Sequence, residues 1–501
     1  MQILSAEQIR QWDEFTIRHE PIDSIDLMER AAKACLDWLE TNNYLERTFH
    51  VFCGKGNNGG DGLAIARMLW HRKCKMVVHI LEFGHKGTND FQTNLARLHE
   101  TGAQVLFVQS DSSFRSIPKD DVIVDALFGS GLNRPLEGIT AQLVRHLNDS
   151  GAEIIAIDIP SGLFTEKSSA GNAVVHARHT LSFQSVKLAF LMPENEEMVG
   201  HLEVLQIGLH PDFLSKTSSS LFITDLAAAR SLLHPRKSFA NKGDYGHVLL
   251  IAGSHGKMGA ALLAANACLR SGAGLLTTHI PNCGYAIMQT RLPEAMVVTD
   301  PSENWISSLG EDLAKYSVIA IGPGIGLEKQ TVDAFESVLR SNRKPMVVDA
   351  DGLNILAEHP NLLEELPPYS ILTPHPKEFE RLFGKSENDF ARLDLALQKA
   401  VAHRCSIVLK GHYSFIATPE RKGFFNSTGN PGMAKGGTGD SLTGMIAAFL
   451  AQKYSPEEAA RLAVYLHGLA GDLAADRQSE FGLLASDLIE HIGAAVISIQ
   501  D

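Results

Sequence analysis

Twice along the chain, short apolar runs end abruptly in loops rich in Gly, Asn and Asp and give way to amphipathic stretches of helical period. In the first half these runs are RTFHVFCG (47–54), KMVVHILEF (75–83), AQVLFVQ (103–109), DVIVDALFG (121–129), EIIAIDIP (153–160), HTLSFQS (179–185) and HLEVLQIGL (201–209). RTFHVFCG reads as a buried strand and the others as further strands, and their interleaving with helices predicts a mostly parallel sheet covered on both sides. The theme lapses in the polar, Ser-rich HPDFLSKTSSS (210–220), which reads as a linker. It restarts with GHVLLIAGS (246–254), YSVIAIGPGIG (316–326), KPMVVDADGLNIL (344–356), YSILTPHPKEFERLF (369–383) and CSIVLKGHYSFIA (405–417). The expectation is an α/β chain of two domains, 1–214 and 215–501. No period of 20–50 residues recurs, which excludes a solenoid. At the start, Ser5 with Gln8 three residues on predicts a capping box for a first helix.

A length of 501 residues exceeds one ordinary core, in keeping with two domains. The charge of −13 argues against nucleic acid or an anionic membrane as partner, although helix ends and loops bind small anions whatever the net charge. Six scattered cysteines form no C-x-x-C pair or zinc spacing and read as buried free thiols. The start, MQILSAEQIR, lacks a basic-then-apolar signal pattern, and no apolar run approaches the roughly 18 residues of a spanning helix. A cytoplasmic protein is expected.

Ligands of parallel sheets bind beyond the carboxyl ends of the strands, so the loops that follow the runs are the places to look. In GKGNNGGDG (54–62), Gly54, Gly56 and Gly59 match a dinucleotide fingerprint, with Glu82 near the end of the next strand. The crowding of Asn57, Asn58 and Asp61 is odd for that use, because a carboxylate at the helix start competes with a pyrophosphate for the same donors. Asp125 and Asp158 each stand at a strand's end, where turn capping is the plainer role; Asn58, Asp125 and Ser161, from three post-strand loops, are able to offer hard oxygen ligands to a cation.

In the second half, NPGMAKGGTGDSLTG (430–444) sets Gly436, Gly437 and Gly439 before an apolar helix with Asp440 in its first turn. Successive backbone N–H groups there form an anion hole, and Asp440 is placed to take a proton from a hydroxyl attacking a phosphoryl group. No Walker A motif occurs. His375 is held between prolines, Lys410 follows a strand, GPGIG (322–326) allows close backbone approach to a ligand, and Asp349 or Asp351 would stand behind the site.

At GNNGGDG, DALFGSGL and DIPSG the first half resembles the NAD(P)H-hydrate epimerase family. At KGDYGHVLLIAGS, GPGIG, DADGLN, TPHPKE, LKGHYS and NPGMAKGGTGD the second half resembles the ADP/ATP-dependent NAD(P)H-hydrate dehydratases of the ribokinase-like superfamily. The resemblance covers nearly the whole chain. It implies a Rossmann-like three-layer α/β/α domain followed by a ribokinase-like α/β domain. It also implies a repair activity: the first domain interconverts the R and S hydrates of NADH and NADPH, and the second dehydrates the S form at the expense of ADP, giving AMP and phosphate. Carried over residue by residue, Asn57, Asn58, Gly59, Gly60, Asp61, Gly129, Ser130, Gly131, Leu132, Asn133, Arg134, Pro135 and Asp158 contact the hydrate in the epimerase. Asn58, Asp125 and Ser161 resemble that family's potassium ligands. Ala260, Gly324, His375 and Asp440 match hydrate contacts of the dehydratase. Lys410, Gly411, His412, Tyr413, Ser414 and Gly439 match its nucleotide site, where Mg2+ bridges the phosphates. His412 and Tyr413 stand where smaller residues are common in that family. Asp440 and Asp158 are the expected catalytic residues, with Lys187 as the alternative proton carrier of the epimerase. A homo-oligomer is expected.

Other readings remain beside this one. A ribokinase-like small-molecule kinase fused to a non-catalytic Rossmann-like binding module would accumulate a phosphate ester instead of releasing inorganic phosphate. A dehydrogenase would transfer hydride.

Overall fold

The computed structural model describes residues 1–82, 84–310 and 312–500. The chain divides into two compact units, one of Gln2–Ser219 with Asn388–Phe390, the other of Met1, Ser220–Glu387 and Ala391–Asp501.

The first unit holds seven strands: β1 (Phe49–Cys53), β2 (Met76–Leu81), β3 (Val105–Val108), β4 (Val122–Ala126), β5 (Glu153–Ile157), β6 (His179–Phe183) and β7 (His201–Leu205). They lie in the order β3-β2-β1-β4-β5-β6-β7, and every neighbouring pair is parallel. All seven runs read from the sequence are present. The last residue of KMVVHILEF, Phe83, lies outside the described residues, and β7 stops at Leu205, short of the expected 209. Helices Ser24–Thr41, Asn57–His71 and Asn89–His99 bury Leu36, Leu63, Leu69 and Leu98 against one face, and Gly138–Asp149 buries Leu143, Val144 and Leu147 against the other. This is the Rossmann-like three-layer arrangement. The order reverses between β1 and β4, where the loops after neighbouring strands part and leave a crevice at their carboxyl ends. GNNGGDG, DALFGSG and DIPSG follow β1, β4 and β5, so all three open at that end. The capping box at Ser5 and Gln8 forms as expected. The stretch read as a linker is more ordered than its composition suggests. Asp212–Lys216 is a short helix whose Phe213 is buried, its ring stacked 5.9 Å from that of Trp12.

The second unit holds ten strands: β8 (Leu221–Thr224), β9 (His247–Ile251), β10 (Leu275–Ile280), β11 (Met296–Thr299), β12 (Val318–Ile321), β13 (Met346–Val348), β14 (Ile371–Leu372), β15 (Ser406–Leu409), β16 (Phe415–Ala417) and β17 (Gly423–Asn426). Their order is β11-β10-β9-β12-β13-β14-β15-β16-β17-β8. Among the described residues only the pairs β15–β16 and β16–β17 are antiparallel. The helix Thr438–Ala451 is buried at every position from Ser441 to Ala451, as its all-round apolar sequence dictates. It presses against Met258–Arg270 so closely that a Cβ on Gly444 would sit 2.0 Å from the Ala264 carbonyl oxygen. That packing sets the start of the helix, and Asp440 with it, at the carboxyl ends of the central strands.

Among the described residues no cysteine is in a disulfide, five of the six are buried, and no helix is long and apolar enough to cross a membrane.

Candidate active sites

In the first unit the chain turns from β1 straight into the helix Asn57–His71. A Cβ on Gly59 would fall 1.9 Å from the Gly54 carbonyl oxygen, so only glycine permits the turn. Asn57, Asn58, Gly59, Gly60 and Asp61 form the first turn of that helix. Fully buried Asn94 supports it from below, donating Nδ2 to the Gly60 carbonyl at 3.3 Å. Glu82, which a dinucleotide fingerprint would aim at a ribose, is instead paired with Lys55 and takes the Gly84 N–H at 2.7 Å.

Asp158 closes the crevice from β5. Its backbone is left-handed (φ +68°), its Oδ1 lies 2.8 Å from Lys187 Nζ, and its Oδ2 accepts the Ser130 N–H at 2.9 Å. Lys187 is only 1% exposed and also donates to Ser182 Oγ at 2.7 Å. Gly129 lies against both Asp158 and Asn58, since a Cβ there would stand 2.9 Å from Asp158 Oδ2 and 3.2 Å from Asn58 Cβ. Ser130, Gly129, Asn58 and Asp158 are thereby brought together. Gly131, Asn133, Arg134 and Pro135 run on exposed along the rim, with Leu132 half-buried among them. Two further carboxyls are linked electrostatically to Asp158. Burial, reinforced by the charge of Asp158, pushes Asp13 up to about 7, and burial with Asp158, Asp13 and Asp90 pushes Asp61 well above the carboxylate range.

Fully buried Asp125 accepts the Ser161 N–H (2.8 Å), Ser161 Oγ (2.6 Å) and the Leu127 N–H (3.2 Å). Burial nonetheless lifts its carboxyl to about 6, over the opposing effect of those bonds. Both polar side-chain atoms of buried Asn58 lack a hydrogen-bond partner among the described residues. An orphaned amide oxygen beside Gly129, together with buried oxygens on Asp125 and Ser161, is a donor set that suits a weakly hydrated monovalent cation.

In the second unit Lys410, at the end of β15, gathers the acids. Its Nζ lies 2.9 Å from Asp349 Oδ1 and 3.9 Å from Glu378 Oε2, and 3.4 Å from the place of a Cβ on Gly439. Burial pulls the ammonium down, but Asp349 and Glu378 outweigh it and hold it above its ordinary value. Asp349 is 1% exposed and takes its second bond from Thr443 Oγ1 at 2.6 Å, from inside the helix that carries Asp440. Burial, then repulsion by Asp349, raises Asp440 to about 6 against the pull of Lys410. His375 caps the helix Pro376–Phe383: its Nδ1 accepts the N–H of Lys377 (3.1 Å) and of Glu378 (3.4 Å), while Glu378 Oε2 accepts the His375 N–H at 2.8 Å. Burial lowers the imidazole from its ordinary value, and Nδ1, which accepts both N–H groups, carries no proton.

Gly324 and Ala260 are neighbours, a Cβ on the glycine falling 3.2 Å from Ala260 Cβ. Asp351 links them to Asp440. It takes the Gly326 N–H at 2.9 Å, pairs with Lys257 at 3.3 Å, and its charge is felt at Asp440. Gly411, His412, Tyr413 and Ser414 form the turn after Lys410, closed by Gly411 N–H to Ser414 Oγ at 3.3 Å, with the His412 and Tyr413 rings 4.3 Å apart.

Both halves of the chain have counterparts in known proteins. A family model described as YjeF-related protein N-terminus matches residues 24–189, and one described as NAD(P)H-hydrate dehydratase matches residues 248–493. The bifunctional NAD(P)H-hydrate repair enzyme of Moorella thermoacetica is 34% identical, the match covering 100% of this chain and 98% of that protein. The chain belongs to this family of bifunctional NAD(P)H-hydrate repair enzymes. The Escherichia coli member is also 34% identical, over 92% of this chain and 88% of its own. The ADP/ATP-dependent NAD(P)H-hydrate dehydratase of Bacillus subtilis, solved with ATP and Mg2+, shares 34% identity. It has a TM-score of 0.50 and covers 56% of this chain and 100% of its own. A ribokinase-like superfamily protein of Enterococcus faecalis gives 28% identity and a TM-score of 0.50 over 57% of this chain and 99% of its own. The second unit is ribokinase-like, and the chain is a two-activity enzyme of coenzyme repair.

Asp13, Asn94 and Thr443 escaped the sequence reading. Each is an ordinary helical residue in the sequence and becomes part of a site only through long-range packing.

Proposed function

We propose that the unit of Gln2–Ser219 epimerises the R and S hydrates of NADH and NADPH and that the other unit dehydrates the S hydrate with ADP, releasing AMP and phosphate. The observation that carries this reading is the convergence on Lys410 of Asp349, Glu378 and the glycine loop before Asp440. It sets one cation and one carboxylate with a raised pKa beside a row of backbone donors.

Asp440 takes the proton from the ring hydroxyl as that oxygen attacks the terminal phosphoryl group of ADP. Lys410 and the N–H groups of Gly436–Gly439 hold the charge that develops on the phosphoryl oxygens. Phosphate then leaves with the electrons of the ring C–O bond, a ring proton is lost, and the dihydropyridine is restored. His375, Gly324 and Ala260 position the hydrate; Lys410 to Ser414 and Gly439 hold the nucleotide. Asp349 and Glu378 are already engaged by Lys410, Thr443 and His375, so the chain offers Mg2+ no dedicated cage. The ion would travel with the nucleotide phosphates, as Mg2+ ordinarily does, and neutralise them.

In the epimerase, Asp158 takes the proton of the hydrate hydroxyl as the bond from that carbon to the ring nitrogen opens to a carbonyl, its electrons passing to the nitrogen, and returns the proton to oxygen when the nitrogen closes on the other face; Lys187 holds the carboxylate in place. Asn57 to Asp61 and Gly129 to Pro135 form the walls. Asn58, Asp125 and Ser161 would hold K+, which would supply fixed positive charge to the site. The experiment that tests the whole reading supplies mixed R and S hydrates of NADH with ADP, and follows both the absorbance of the reduced coenzyme and inorganic phosphate. Equal yields of NADH and phosphate support it; accumulation of a stable phosphate ester would point to a small-molecule kinase.

A further inference from the structure

The glycine loop that presents Asp440 does not stand on its own backbone alone. It lies on one face of the long helix Pro456–Gly482, and that face is cut to receive it. A Cβ on Gly468 would fall 2.3 Å from Thr428 Oγ1 and 2.6 Å from the Thr428 carbonyl carbon. One turn on, a Cβ on Gly471 would fall 2.4 Å from Met433 Sδ. Two glycines three residues apart, costly inside a helix, let the loop settle directly on the helix backbone.

Polar bonds from the same face fasten it at both ends. At the near end Asp472 Oδ2 accepts the Gly429 N–H at 2.9 Å and Oδ1 accepts Asn430 Nδ2 at 2.8 Å. Asn430 Oδ1 in turn accepts the Gly432 N–H at 3.0 Å and so starts the short turn Pro431–Met433. Thr428 Oγ1 donates to the Tyr465 carbonyl at 2.7 Å. At the far end His467 Nε2 meets the Thr438 carbonyl at 2.9 Å and Ser441 Oγ at 3.1 Å. That carbonyl accepts, so Nε2 carries the proton; burial pulls this imidazole down to about 4, which keeps it neutral. Between these ends Thr438 Oγ1 reaches the carbonyls of Met433 (3.0 Å) and Lys435 (2.9 Å). A continuous line of bonds thus runs from Asp472 through Asn430 and the turn to Thr438, two residues before Asp440.

We propose that Asp472 and His467 are positioning residues for dehydration: through Asn430 and Thr438 they set where the glycine-loop N–H groups and the Asp440 carboxylate meet the phosphoryl group. This rests on the reading of Asp440 as the base. The helix itself supplies no group to the reacting atoms. Its part is to fix the anion hole before the nucleotide arrives, so that no reorganisation is needed during transfer.

The test uses the full chain with the variants Asp472→Asn, Asp472→Asn/Asn430→Asp, His467→Gln, His467→Ala and Asp440→Asn. In Asp472→Asn the amide still accepts from Gly429 but presents N–H groups to the N–H groups of Asn430, so the line breaks at one bond. Dehydration of purified S hydrate is expected to fall about ten-fold or more in kcat, with a raised KM for ADP and an unchanged rate of epimerisation. The double variant exchanges amide and carboxylate, restores each bond of the line, and is expected to recover most of both constants. His467→Gln, which keeps a donor near Thr438, should be milder than His467→Ala. Loss of fold alone would lower the active fraction without moving the KM for ADP and would not be rescued by the exchange. Wild-type kcat and KM in Asp472→Asn, or a double variant no better than the single, would overturn the proposal. Undiminished dehydration in Asp440→Asn would instead overturn the base assignment on which it rests.

Discussion

The Lys187 ammonium lies 2.8 Å from Asp158 Oδ1 and reaches the Asp158 carbonyl oxygen at 3.3 Å, so one buried cation holds both the side chain and the backbone of the residue it faces. That backbone sits at φ +68°, a conformation that costs a non-glycine residue on the order of 1–3 kcal/mol. The strain aims the carboxylate at Ser130, Gly129 and Asn58, and Lys187 keeps it there. Lys187→Met is therefore expected to slow epimerisation on the order of 10²-fold, within the range of a displaced general base, and to weaken the first unit by up to about 3–5 kcal/mol. Dehydration of purified S hydrate by the same sample should stay near wild type, which separates the effect from general unfolding. A normal epimerisation rate would remove Lys187 from the site.

Asp440 pays for its position in stability. Its folded carboxyl titrates near 6 instead of near 3.8, so the folded chain holds that proton more tightly than the unfolded chain does. The contribution of this group to stability is full below 3.8 and is lost as pH rises through about 6. Asp440→Asn should accordingly stabilise the second unit at pH 7 by on the order of 1–3 kcal/mol while lowering dehydration 10²–10⁴-fold. A lower melting temperature in this variant would show that the ionised carboxylate is better satisfied than its surroundings indicate.

The same titration governs the rate. The base must be ionised, so kcat/KM for dehydration should decline as pH falls through about 6. Bound ADP adds negative charge beside Asp440, so the acid limb of kcat should lie higher than that of kcat/KM. A flat profile between pH 5 and 8 would be incompatible with Asp440 as base.

How far the sequence reveals this architecture depends on what marks each element. All seven strands of the first sheet are legible because each is parallel and carries an apolar run. In the second unit β8, β10, β11 and β17 are not, for local reasons. Thr277, Thr278 and His279 interrupt β10 with buried polar groups, Gly423 weakens the pattern of β17, and β8 and β11 are the two edge strands, only partly buried. At the sites, the glycine loops and the acids at strand ends stand out because a close backbone approach demands glycine. Asp13 and Asp472 do not, since each lies on a helix where an acid looks like any solvated residue. Asp349, read as standing behind the site, does so as the partner of Lys410.

Potassium offers a separate check on the first unit. With the partnerless Asn58 amide and the buried oxygens of Asp125 and Ser161 as ligands, exchange of K+ for a large organic cation should weaken epimerisation several-fold and leave dehydration of S hydrate unaffected. Unchanged epimerisation across the exchange would leave those three residues with a structural role only.

The joining of two activities is tested most directly by the time course of Asp158→Asn on a mixture of R and S hydrates with excess ADP. On the proposed reading the second unit consumes only the S epimer and depends on the first unit for the rest. The wild type should run to completion in a nearly uniform phase. Asp158→Asn should show a first phase of normal rate whose amplitude equals the S fraction, then a slow phase at the spontaneous epimerisation rate, which added wild-type first unit accelerates. Complete conversion by Asp158→Asn in a single phase would contradict the assignment of epimerisation to Asp158.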